Sequence, residues 1–183
     1  FTITEKVMDT ELLLDTNFYI SLCNLNTEES YETCFQLFET ARNLGFRFSI
    51  LQRTIEQIRI LLTNRIINFE DKDSRAAWDE SDIHAACVRR GLDSSSDLQL
   101  YKDGIMNDLA KKGINVIYDT AIRSLIDKAS KSDEYRVLKN IRRNAESALN
   151  DVIAQTYVEH KRSSKKIAEF SDVNCWFLTN SIK

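Results

Sequence analysis

Short apolar runs alternate with longer amphipathic stretches along this chain. The runs ELLLD (11–15), FRFSIL (46–51), NVIY (115–118) and CWFLT (175–179) are rich in aliphatic and aromatic residues. Such runs predict strands buried on both faces. Residues 28–44 place Tyr31, Cys34, Phe35, Leu37, Phe38 and Ala41 near one helical face, and Gly45 follows as a C-cap. Residues 53–68 continue as a helix whose apolar stripe is Ile55, Ile58, Leu61, Leu62 and Ile66. Residues 69–112 are charged and mostly helical. The loop DSSSD at 93–97 caps the second helix there. A last long helix is expected near 138–161. Strand alternating with helix predicts an α/β fold, a three-layer α/β/α sandwich with a short, mainly parallel sheet.

Composition narrows this picture. The 183 residues, 43% of them hydrophobic, suffice for one domain, taken as 1–183 with a helical insertion at about 69–135. There is no proline and there are only four glycines, which excludes an all-β chain built on Gly/Pro turns. No repeat or low-complexity tract interrupts it. No run approaches the roughly 20 apolar residues of a membrane span. The opening FTITEKVMDTE lacks a signal-peptide pattern and an initiator Met, so the expectation is a piece of a longer protein. Cys23, Cys34, Cys87 and Cys175 are scattered, which predicts buried free thiols and a cytoplasmic location rather than a zinc site or a disulfide framework.

Charge changes the picture less than its placement does. A net charge of −3 argues against coating nucleic acid by bulk positive charge. It leaves room for an acidic site beside a local basic rim. Acids stand where apolar elements end: Asp15 closes the first strand, Glu56 lies just past the second, and Asp151 opens an apolar helical run. The last strand ends on Thr179, Asn180 and Ser181. In a parallel sheet, strand C-termini share one edge, where ligands bind. An acid after LLL is costly to bury unless it is paired. A carboxylate cluster there calls for Mg2+ or Mn2+, hard cations that take oxygen ligands. The matching chemistry is phosphodiester hydrolysis, which needs no Ser-His or Cys-His nucleophile. His84 and His160 have no spaced partner for zinc, and Trp78 and Trp176 read as core residues.

Each acid also has a plain alternative. Helix starts favour Asp, and Glu56 alone is an ordinary helix-surface residue. Lys139, Arg142 and Arg143, and then Lys161, Arg162, Lys165 and Lys166, flank the helix of Asp151. They read either as a solvated surface or, with Arg53 and Arg59, as a phosphate-gripping rim.

LLLDTN, an acid after the second strand, ND opening an apolar helix and a final FLTN strand occur in an order that resembles a PIN domain. The resemblance spans roughly 11–181, without a counterpart for the insertion in the smallest members. It implies an α/β/α metal-dependent nuclease, an endoribonuclease acting on RNA in preference to DNA. Asp15, Glu56 and Asp151 match the family's metal-binding acids, and Asn17 matches the polar residue that supports the first. The final family motif usually reads Thr-x-Asp, and here Ser181 stands at the acid's place, so the fourth acid is absent. Glu146 is the candidate to compensate. Small bacterial PIN domains often act as toxins, which implies an antitoxin or other protein partner and leaves a homodimer open. The competing expectation is a catalytically weak or inactive PIN-like module that binds nucleic acid or a protein.

Overall fold

The structure, a computed structural model, describes residues 10–69, 79, 82–92, 94–142, 144–163, 167–168 and 172–180. Trp78, Arg143, Lys165, Lys166 and Ser181 lie outside the described residues.

Among the described residues, the chain forms an α/β fold around one four-stranded parallel sheet of order β3-β2-β1-β4. The strands are β1 (Glu11–Leu14), β2 (Arg47–Leu51), β3 (Ile114–Ile117) and β4 (Cys175–Leu178), close to the four apolar runs. Side-chain alternation along β1 divides the core. Leu12 and Leu14 join a cluster on one face with Phe48 and Ile50, while Leu13 joins Leu51 and Cys175 on the other. Helices cover both faces, so the fold has three layers. All four cysteines are free and buried.

The first face carries α1 (Thr16–Leu22), α2 (Glu28–Asn43) and α3 (Gln52–Ile67), then α4 (Ile83–Arg89), α5 (Ser95–Asp103) and α6 (Ile105–Lys112). α2 ends on Leu44, and Gly45 takes the next position with φ 87°, a left-handed backbone that glycine adopts without strain. The expected loop at 93–97 does cap a helix. Ser94 and Asp97 close a reciprocal capping box at the start of α5. Ile83, Cys87, Leu98, Ile105 and Leu109 extend the same core, so α4–α6 are built into the domain. His84 is part of this packing, buried at 2% exposure with Nε2 2.6 Å from the Arg65 carbonyl.

The second face carries α7 (Arg123–Ser130), α8 (Asp133–Ile141) and α9 (Ala145–Ser163). Two boundaries differ from expectation. The range 69–135 contains β3 and α7, which belong to the sheet and its flank. The long helix expected near 138–161 is two helices. Arg142 turns extended (ψ 140°), and Asn144 restarts the chain as a cap, its Oδ1 accepting the Glu146 N–H at 2.9 Å.

Candidate functional site

The strand order places a topological switch at β1. From β1 the chain moves outward to β2 and β3, then returns to the other side of β1 as β4. In parallel sheets the crevice beyond such a switch is where ligands sit. Asp15 directly follows β1, and Thr179 directly follows β4. They meet there: the Thr179 hydroxyl donates to Asp15 Oδ2 at 2.9 Å. The Asp15 Oδ1 accepts the Thr16 N–H at 2.7 Å as the N-cap of α1, and the Asp15 N–H donates to the Leu178 carbonyl at 2.9 Å. The carboxylate is thus held from the sheet, from the helix start and from β4.

Asp151 reaches the same place from α9. Both acids line an open cleft of ≈ 300 Å³, together with Asn17, Glu146 and Arg142. Burial pushes the Asp151 carboxyl up from its ordinary value, Arg142 opposes that shift, and Asp15 adds to it. The Arg142 guanidinium lies 2.9 Å from Asp151 Oδ2 and is half exposed. The helix break that frees Arg142 from α8 and α9 is what lets it reach Asp151.

Several sequence expectations are corrected. Glu56 is exposed, accepts from its own-helix Gln52 Nε2 at 3.0 Å and does not line the cleft. Gln57 lines it instead, because one residue turns a helix by about 100°. Arg53 is paired with Asp119 at 2.9 Å, away from the cleft, and Arg59 is exposed off the lining face. Lys161 and Arg162 sit at the opposite edge of the sheet. Lys161 pairs with Glu11 at 3.0 Å, and Arg162 donates to the Cys175 carbonyl at 2.9 Å while lying over the Trp176 ring. At about 1.5 Å per residue, α9 carries them roughly 15 Å from Asp151, too far to rim its cleft. Asn180 supports α1 rather than the cleft, donating to the Ser21 hydroxyl at 3.0 Å. Arg143 and Ser181 lie outside the described residues.

Sequence reasoning missed the α3 wall of the cleft. Gln57, Ile60, Leu61 and Asn64 line it at i, i+3, i+4 and i+7. The available signal was Ile60, an aliphatic residue off the buried stripe of Ile55, Ile58 and Leu62 and 53% exposed.

Among the described residues, no group of three or more His, Cys, Asp or Glu is arranged to enclose a metal ion. The donors present are hard oxygens: the carboxylates of Asp15 and Asp151 and a third acid, Glu146, line the cleft. That set fits Mg2+, which takes one or two carboxylates and keeps several waters, better than a closed all-protein cage. No helix among the described residues is long and apolar enough to cross a membrane. Compared with family models, curated proteins and solved structures, the chain finds no match.

Proposed function

We propose that the chain is a PIN-like, Mg2+- or Mn2+-dependent nuclease that hydrolyses phosphodiesters in RNA in preference to DNA. One observation carries this reading. Asp15 and Asp151, from opposite layers of the fold, line one open cleft at the switch point of a parallel sheet. Two carboxylates sharing one cleft favour a bound cation, and Arg142 pairs with only one of them, Asp151.

Asp15 and Asp151 are the proposed ligands, and Glu146, unlike Glu56, lines the same cleft without joining them as a third ligand. When bound, the metal supplies a more acidic water and neutralises charge on phosphoryl oxygens. The chain's own residues do the positioning. Thr179 and the Thr16 N–H fix the orientation of the Asp15 carboxylate. Arg142, half exposed beside Asp151, is placed to turn towards a substrate phosphate once a cation has taken over its carboxylate partner.

A second reading is a binding module with little or no catalysis. The Arg142–Asp151 pair favours it, since the cleft already holds a cationic group of its own. Thermal unfolding with and without MnCl2 separates the two. The nuclease reading expects stabilisation of the wild type and none of Asp15→Asn, a substitution that keeps a competent N-cap. Metal-dependent cleavage of an RNA panel should accompany it. A flat metal response together with no cleavage leaves the binding module standing.

A further inference from the structure

We infer that the α3 wall of the cleft is a nucleobase subsite, so that the cleft binds a nucleotide by its base as well as by its phosphate. This rests on the nuclease reading for the identity of the ligand, but its evidence is separate from the acids.

The cleft has two chemically different sides. Among the described residues, Asp15, Asp151, Glu146 and Arg142 carry its charge. The α3 side carries none, and it presents Gln57 and Asn64 with the aliphatic Ile60 between them. A wall meant for phosphate would be basic, and the α3 wall instead sets the exposed Ile60 between two carboxamides at the cleft.

Carboxamides are the neutral groups that match base edges, since each offers a donor and an acceptor on one plane. The Thr16 hydroxyl donates to Gln57 Oε1 at 3.2 Å, which orients that amide and leaves its Nε2 to donate. The Asn64 side chain is exposed, and its carboxamide is unengaged among the described residues. Ile60 adds an apolar surface of the kind that packs on the flat face of a base. No aromatic residue lines the cleft among the described residues, so base contact there falls to Ile60 and Leu61. The separation is also functional. Charge on one side and neutral amides on the other present a phosphodiester to the acids while its base lies on α3.

Titration of 15N-labelled protein with the four ribonucleoside 5′-monophosphates and with ribose 5-phosphate, all in Mg2+, tests this. The nucleotides should bind at least about fivefold more tightly than ribose 5-phosphate, the lower end of what a paired base edge contributes. Ile60→Ser and Asn64→Ala should shrink that ratio towards one. Ile67→Ser, on the same helix and off the cleft, should leave it unchanged. Equal affinity for ribose 5-phosphate, a ratio untouched by Ile60→Ser and Asn64→Ala, or no binding of any nucleotide overturns the subsite. RNA cleavage is read separately. Base-dependent binding without cleavage removes the nuclease reading and keeps the subsite, whereas cleavage without base dependence does the reverse.

Discussion

Two acids bound the same short strand and are treated in opposite ways. Glu11 opens β1 and is 6% exposed. The Tyr157 hydroxyl donates to both of its oxygens, at 3.0 and 3.2 Å, and Lys161 sits 3.0 Å away. Burial pushes its carboxyl up, but Ser49, Lys161 and Tyr157 together outweigh that and hold it below the ordinary value. Asp15 follows the other end of β1. It too is hydrogen-bonded, but it faces an open cleft and a second acid. The Glu11 end is closed with its counter-charge built in. The Asp15 end has three acids in its cleft, Asp15, Glu146 and Asp151, and one cation among the described residues, Arg142, which pairs with Asp151. A buried acid with a complete set of partners is structural, whereas an acid held rigidly beside another acid is waiting for something.

The largest effect should come from breaking the open end. Asp15→Asn is expected to lower metal-dependent cleavage by about 100-fold or more and to abolish the Mn2+ stabilisation, read by single-turnover kinetics and thermal unfolding. It should cost little stability without metal. Breaking the closed end should do the reverse. Lys161→Ala leaves the Glu11 carboxylate buried without its cation and is expected to cost about 2 kcal/mol in urea unfolding. Its Mn2+ response should survive.

Arg142 tests whether the open end grips substrate. Arg142→Gln should weaken RNA binding similarly for all sequences and reduce the salt slope of log K by about one, measured by filter binding across a salt series. A slope that does not move removes Arg142 from the phosphate path.

The smallest effect is a difference of sign. Glu11 titrates below the 4.5 of a free glutamate. The unfolded chain takes up its proton first as pH falls. Stability from ionised Glu11 is therefore full above that value and is lost as pH drops through the folded one. Glu11→Gln should destabilise the chain near neutral pH and flatten the acid limb. Asp151 titrates above its ordinary 3.8, through burial first, with Arg142 opposing and Asp15 adding. Stability linked to it is full below that value and is lost as pH rises through the folded one. Asp151→Asn should thus stabilise the chain near neutral pH. Urea unfolding at several pH values reads both, and equal signs would erase the contrast between the two ends.

The strands were legible because a buried parallel strand writes itself as a short apolar run between helices. Asp15 and Asp151 were legible because each interrupts or opens such a run. What was not legible depends on phase and distance. Glu56 and Gln57 are neighbours in sequence but point in different directions from α3. Lys161 and Arg162 share α9 with Asp151, yet a helix is long enough to reach from one edge of the sheet to the other. Arg53 finds Asp119 just past the end of the neighbouring strand β3, a partner no local pattern names. The break at Arg142 carries neither Gly nor Pro, so only the Asn144 cap marks it. Glu11 looked like the polar start of a strand until Tyr157 and Lys161 closed over it.

The bond between Thr179 and Asp15 spans 164 positions of sequence. Synthesis runs from the amino end, so the ribosome delivers Asp15 early and its β4 partner late. Until β4 emerges and docks, β1 lacks one neighbour and the Asp15 carboxylate lacks the hydroxyl that fixes it. The order of translation thus leaves the first acid of the cleft without its Thr179 anchor until the sheet has its last strand.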